Sequence, residues 1–72
     1  MAYRANGALQ QARHKKQWSR AFVAKQVEVH ETTVGRWEQG AQKPRLEHLR
    51  KLCTLFDMSA DDLGFGDMLN PS

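Results

Sequence analysis

The stretch of sequence that decides the fold runs from Arg20 to Gln39 and reads RAFVAKQVEVHETTVGRWEQ. Its apolar residues recur at helical spacing on both sides of a break near Glu28. The pattern predicts two short helices joined by a tight turn, and Ala24 is small where the second helix would cross the first. The two helices can share one apolar seam, which consists of Val23, Val27, Val29, Val34 and Trp37.

Capping residues and helix breakers predict where the flanking helices begin and end. Asn6 can cap a first helix that runs to about Lys16, and Ser19 can cap the first helix of the central pair. Gly40 is a natural stop, and Pro44 permits a new helix just beyond it. The apolar residues of that last helix are Leu46, Leu49, Leu52, Cys53, Leu55 and Phe56.

A short fifth helix is expected near the carboxyl end. Ser59 and Asp62 are spaced as in a capping box, so we expect a last helical turn through Leu63 before Gly64 and Gly66 end regular structure. No segment alternates apolar and polar residues over the length of a strand. The sequence therefore predicts an all-α protein, a compact bundle of five short helices.

Length and composition exclude several classes of protein. A chain of 72 residues allows one domain, and a single cysteine, Cys53, excludes an internal disulfide and a cysteine-rich zinc site. The longest apolar run is four residues, Ala21 to Ala24, whereas a membrane span needs roughly 20. We therefore expect a soluble cytoplasmic protein without a membrane segment.

The charge of the chain is graded along its length. The net charge is +3, but residues 1–27 carry six basic residues and no acid, and residues 46–72 carry two basic residues and five acids. This gradient suits a protein that presents one face to a polyanion, and it also suits a domain whose charges are merely solvated. Charge alone does not decide between the two.

The central stretch and its flanks together resemble a known family. The chain is similar to the phage-repressor-like (Cro and Xre) family of DNA-binding domains, which contain a helix-turn-helix. The resemblance covers about residues 9–63, and its ending LCTLFDMSADDLG is most similar to the N-terminal modules of larger bacterial regulators. It rests on five segments in the right order: LQQAR from Leu9, WSRAFVA from Trp18, TTVGRWEQG from Thr32, KPRLEHLRKLC from Lys43 and DMSADDL from Asp57.

The resemblance implies a domain organisation. We expect residues 1–72 to form a single helix-turn-helix DNA-binding domain of the lambda-repressor-like type. Its core would span about residues 6–64, its helix-turn-helix residues 20–39, and its termini would be flexible.

Three residues depart from the pattern of the family. Glu28 stands in the turn where glycine is usual, and a left-handed backbone there is costly for any other residue. His30 replaces a serine-like cap at the start of the recognition helix. Arg20 replaces a glutamine at the start of the first motif helix, and a long cation at that place favours contact with phosphate.

The recognition helix, at about residues 31–38, would read bases in the major groove. If Val34 and Trp37 pack inward, the helical rotation turns residues 32, 35, 36 and 39 outward, with Glu31 at the exposed N-terminal end. We expect Glu31, Thr32 and Arg36 to read bases. Arg36 could instead contact phosphate, and Glu31 could merely complement the helix dipole. Gly35 would either let DNA approach closely or be tolerated.

The resemblance assigns phosphate contacts to residues before, within and after the recognition helix. Such contacts fix the register of the protein on DNA and supply most of the affinity. The alternative for the charged ones is a solvated surface position. The expected phosphate-binding residues are Ser19, Arg20, Thr33, Gln39, Lys43 and Arg45.

The resemblance also implies a structural ion pair. Arg13 and Glu38 occupy positions at which the family often pairs an arginine of the first helix with a glutamate after the recognition helix. We expect a partly buried pair that locks the binding unit to the scaffold.

Other residues carry no sign of catalysis or cofactor binding. The three histidines, at positions 14, 30 and 48, are too far apart in sequence for a local metal motif, and no metal or other cofactor is expected. Cys53 fits a small core residue better than a nucleophile. Phe22 could mark a contact with another subunit or fold back on its own domain. No paired carboxylates or nucleophile–base pair support an enzyme, so we expect none.

The sequence as a whole predicts a transcriptional regulator that binds double-stranded DNA sequence-specifically, in the cytoplasm and associated with the nucleoid. The alternative is a helix-turn-helix used for protein interaction, as in an adaptor or an antitoxin. We expect a palindromic operator, bound by a weak homodimer, by copies that pair on DNA, or with the help of a missing C-terminal domain. The expected dimer patch lies between Phe56 and Leu69, with Phe65, Met68 and Leu69 as exposed apolar candidates.

Overall fold

The structure, a computed structural model, describes residues 7–66. This range forms four helices, α1 (Gly7–Lys15), α2 (Arg20–Val27), α3 (Glu31–Gln39) and α4 (Leu46–Phe56), and contains no strand. The all-α class is confirmed. The predicted cap Asn6 and the predicted flexible termini lie outside the described residues.

The prediction of five helices was wrong, because residues 59–64 form a single turn and not a helix. The expected cap is present: the Asp62 amide donates to Ser59 Oγ at 3.0 Å, and the Leu63 amide donates to the Ser59 carbonyl at 3.1 Å. The chain then leaves the helical path at Gly64, whose φ of 86° is left-handed. The amide of Phe65 bonds back to the Ala60 carbonyl at 2.8 Å, which turns the chain toward the core.

One apolar core joins the four helices. α3 packs against α1 and α2, and α4 packs against α2. The seam predicted between α2 and α3 is present, with Val29 only half buried and the other four residues buried. The side chains with no exposed surface are Leu9, Val23, Val27, Val34, Leu52 and Leu63.

The turn between α2 and α3 has the left-handed residue that the family pattern demands. Glu28 ends α2 with φ 63° and ψ 46°, and the Val29 amide bonds to the Ala24 carbonyl at 2.9 Å. The carboxylate of Glu28 accepts a hydrogen bond from Lys51 Nζ at 2.5 Å, which ties the turn to α4. This bond and the charge of Lys51 hold the pKa of Glu28 below its usual value.

Within the part of the chain that the structure describes, no helix combines the length and the apolar character that crossing a membrane requires.

Candidate nucleic-acid interface

The exposed face of α3 is the candidate interface. Val34 and Trp37 are buried in the core, and this orientation leaves Glu31, Thr32 and Arg36 exposed. Together with Arg20, Gly35 and Gln39, these three side chains line a shallow concavity of about 410 Å³. We call these six residues the α3 surface.

All three predicted base-reading residues therefore lie on one exposed surface. Glu31 is the first residue of α3, next to the N-terminal amides of the helix, and Thr32 follows it. Arg36 lies one turn further along, in the last turn of the helix. The arrangement offers an acceptor, a hydroxyl and a forked cation to one ligand, and these are groups that recognise base edges.

Position 35 points outward on α3, as predicted, but Gly35 itself is buried. It is buried because the side chain of Arg20, which comes from α2, lies across it. A Cβ atom at position 35 would lie 3.6 Å from Nη1 and 3.8 Å from Cζ of Arg20. The rotation of α3 does point position 35 toward the interface, but a neighbouring helix covers it.

Arg20 is held in this place by a carboxylate. Its Nε donates to Oε1 of Glu38 at 3.0 Å, while 41% of its side chain stays exposed. Sequence reasoning missed this pair, because α2 and α3 each had to be placed in space before Arg20 and Glu38 could be seen to meet. The glycine at position 35 was the one signal in the sequence, since it leaves room for a side chain from elsewhere.

The ion pair predicted between Arg13 and Glu38 is present. Arg13 Nε donates to Glu38 Oε2 at 2.6 Å, and Nη2 donates to Oε1 at 3.2 Å. The side chains are 9% and 1% exposed, and Arg13 Nη1 also donates to the carbonyl of Trp18 at 2.9 Å. Glu38 thus accepts from α1 and α2 at once, which fixes α3 on the scaffold.

The predicted phosphate-binding residues flank α3 on both sides. Ser19 caps α2, its Oγ accepting from the Phe22 amide at 3.0 Å, and it remains exposed. Thr33 is half buried and Gln39 is exposed. Lys43 and Arg45 are exposed in the segment between α3 and α4.

The phenylalanines differ in how far they are exposed. Phe22 is 39% exposed and packs on its own domain, with its ring centroid 5.1 Å from that of Trp18. Phe65 was predicted to be exposed, and that prediction was wrong: it is 4% exposed because the turn after α4 directs it into the core. Phe56, at the start of the predicted dimer patch, is also buried, and Met68 and Leu69 lie outside the described residues.

The histidines and the cysteine form no metal-binding cluster in residues 7–66. That range holds no group of three or more His, Cys, Asp or Glu side chains arranged to bind a metal ion. Cys53 is half buried against the core, and burial raises the pKa of its thiol. A raised pKa keeps the sulfur protonated and makes it a poor nucleophile.

Two crossing helices, a left-handed turn between them and an exposed polar face on the second define a helix-turn-helix domain. Residues 7–64 match the family model described as "Helix-turn-helix domain". The chain belongs to this family, and within it to the phage-repressor-like (Cro and Xre) type.

Relatives with assigned names are similar over most of the chain. The HTH-type transcriptional regulator AnsR of Bacillus subtilis (strain 168) is 36% identical over 55 residues, 76% of this chain and 47% of its own length. The HTH-type transcriptional activator BcrR of Enterococcus faecalis is 33% identical over 64 residues, 89% of this chain and 31% of its own length. The chain thus spans less than half the length of these two relatives.

A solved structure shares the fold. The restriction-modification controller protein C.AhdI from Aeromonas hydrophila superposes with a TM-score of 0.73 at 26% sequence identity. The match covers 81% of this chain and 88% of that chain.

Proposed function

We propose that the chain binds specific sequences of double-stranded DNA as a transcriptional regulator, with α3 in the major groove. The observation that carries this proposal is the exposed polar face of α3, which presents Glu31, Thr32 and Arg36 together. A major groove is wide enough to admit one helix. The names of the relatives, two transcriptional regulators and a controller protein, support the regulatory role.

Three residues of α3 read the base edges. Arg36 donates to guanine, Thr32 contacts a thymine methyl group or a base edge, and Glu31 accepts from the amine of cytosine. All three are exposed, so contact with DNA requires no opening of the core. A well-formed bidentate contact discriminates between bases by about 1 to 3 kcal/mol.

Residues beside α3 bind the phosphates. Ser19 lies before α3, at the N-terminus of α2, and Lys43 and Arg45 lie after it. Thr33 and Gln39, on α3 itself, complete the set. Contacts on both sides of one helix can hold the two walls of a groove, and they supply affinity without reading sequence.

The setting of this activity is part of the proposal. The protein acts in the cytoplasm, associated with the nucleoid, on a palindromic operator that two copies occupy. It has no enzymatic activity, needs no cofactor or metal, and does not bind membranes.

The test separates base contacts from phosphate contacts. Selection from a random duplex pool defines the cognate site, and each variant is then titrated with cognate and scrambled duplexes at several salt concentrations. Arg36→Ala and Thr32→Ala should reduce the preference for the cognate duplex. Lys43→Ala should weaken both duplexes similarly and reduce the salt slope by about one.

A matched control comes from a different surface of the domain. Arg50 is exposed on α4 and lines a different concavity, with Gln26 and Lys51. Arg50→Ala removes one positive charge, as the test variants at Arg36 and Lys43 do, but should leave the preference unchanged. A wild-type protein that shows no salt-dependent binding to any duplex would contradict the proposal and favour a protein partner instead.

A further inference from the structure

The outward position in the middle of α3 is occupied by a side chain from another helix. Position 35 is a glycine, and the guanidinium of Arg20 lies against the place where a side chain at that position would begin. Nη1 is 3.6 Å from the place of the missing Cβ, within ordinary van der Waals contact. The guanidinium of Arg20 therefore lies where the side chain of an α3 residue would otherwise extend.

The guanidinium is oriented as well as placed. Its Nε is bonded to Glu38, and Glu38 is itself fixed by Arg13, so the plane of the guanidinium is set by a buried carboxylate. Within residues 7–66, the two terminal nitrogens of Arg20 have no hydrogen-bond partner. They belong to a side chain that lines the α3 surface beside Thr32 and Arg36.

We propose that Arg20 reads a guanine in the major groove, in place of the phosphate contact that the sequence predicts. This inference rests on the proposed function. Guanine presents two acceptors, O6 and N7, at the spacing of the two terminal nitrogens of an arginine, whereas adenine presents a donor in place of O6. A guanidinium fixed through Nε donates both bonds without first losing rotational freedom.

The carboxylate and the glycine have defined parts in this recognition. Glu38 is a positioning residue, because it sets the direction of the guanidinium and does not itself reach the α3 surface, being 3% exposed. Gly35 supplies the space in which the guanidinium lies. A phosphate contact needs neither, since a flexible cation on the rim of the interface would serve it.

The test repeats the duplex selection with Arg20→Lys and with Arg20→Gln, and compares each selected site with that of the wild type. Arg20→Gln should lose the preference for guanine at one base pair by roughly 5- to 150-fold, and Arg20→Lys should weaken that preference, while the other positions stay as selected. Arg20→Lys keeps the charge but has no fork, so its salt slope should equal that of the wild type. Circular dichroism melting checks that each variant is folded.

Two further variants make the outcome decisive. Gly35→Leu extends beyond its Cβ atom into the place of the guanidinium, whose nearest atom would lie 3.6 Å from that Cβ, so the preference for guanine should be lost. Lys43→Ala should leave every base preference in place and weaken binding evenly.

The possible failures are distinguishable. If the wild type binds no duplex, the proposed function fails and this inference fails with it. If the wild type selects a site and both Arg20 variants keep every base preference, the proposed function stands and the inference is overturned. If Arg20→Gln reduces the salt slope by about one and keeps every base preference, Arg20 contacts a phosphate and does not read a base.

Discussion

At the scale of single residues, the carboxylate of Glu38 links α3 to α1 and α2 through hydrogen bonds. It is 3% exposed, and it accepts hydrogen bonds from two arginines that come from different helices. Burying a carboxylate costs several kcal/mol of desolvation, which only close, well-aligned donors can offset. The two arginines differ in exposure: the side chain of Arg13 is 9% exposed and that of Arg20 is 41% exposed.

That difference predicts unequal effects on stability. Arg13→Met should lower the free energy of unfolding by roughly 3 to 5 kcal/mol, because it leaves much of a buried carboxylate without a partner. Arg20→Gln should cost no more than about 1 kcal/mol, because solvent replaces a half-exposed cation. Urea denaturation monitored by tryptophan fluorescence measures both. Equal losses in the two variants would show that Glu38 does not depend mainly on Arg13.

At the scale of elements, two helices of the motif begin differently. Ser19 caps α2 through its hydroxyl, whereas His30 precedes α3 and makes no side-chain hydrogen bond to the helix. His30→Ser should therefore stabilise the domain by about 1 kcal/mol, since it supplies an acceptor for an open amide of α3. Ser19→Ala is the control of opposite sign and should cost about as much. Thermal melts measure the Tm of both variants. If both Tm values shift in the same direction from that of the wild type, this account of the caps is wrong.

The turn between the motif helices gives a second prediction at this scale. Glu28 has a φ of 63°, a conformation that glycine adopts without the steric cost of a Cβ atom. Glu28→Gly should raise Tm by about 5 °C even though the bond to Lys51 is lost. Lys25→Gly, inside α2, should lower Tm, because glycine is unfavourable in a helix. A fall in Tm for both variants would mean that the left-handed turn is not strained.

The elements also show how far sequence reasoning reaches. Periodicity predicted a recognition helix at about residues 31–38, and α3 is Glu31–Gln39, because a buried seam and a glycine stop are local features. The capping pattern at Ser59 predicted the last helical turn, but a single turn is not a fifth helix. The burial of Gly35 and of Phe65 was not predicted, because the exposure of each depends on neighbours distant in sequence, Arg20 in one case and the packed core in the other.

The base-reading and phosphate-binding assignments remain predictions. The structure shows that Glu31, Thr32 and Arg36 share one exposed surface, but contact with a base depends on how the domain docks on DNA. Sequence reasoning could find these residues because they follow from the rotation of one helix. It could not find the place of Arg20, which follows from the crossing of two helices and from a glycine on one of them.

At the scale of the whole molecule, one domain presents one α3 surface. A few readable side chains, each worth about 1 to 3 kcal/mol against a mismatch, cannot select one site among the millions in a genome. Two copies on a palindromic site would double the number of base contacts. The domain measures 33 × 25 × 21 Å, so two copies fit side by side on one face of DNA with their α3 helices one turn, roughly 34 Å, apart.

The exposed apolar surface of the domain predicts whether two copies associate in free solution or only on DNA. The large apolar side chains exposed within residues 7–66 are Phe22, at 39%, and Leu46, at 48%, and Phe22 already packs on Trp18. A stable interface buries about 800 Å² on each partner, far more than two such side chains provide. We therefore expect this 72-residue chain to be monomeric at micromolar concentration and to pair on DNA.

Analytical ultracentrifugation of the protein alone, and with duplexes carrying the selected site, tests this expectation. The protein alone should sediment as a monomer, and a palindromic duplex should take up two copies cooperatively. A duplex with the half-sites moved apart by five base pairs, half a helical turn, is the matched control: it should bind two copies independently, because they then lie on opposite faces of the DNA. A tight dimer without DNA would contradict pairing on DNA. One copy per palindromic duplex at saturation would contradict it too, and would also contradict the proposed palindromic operator.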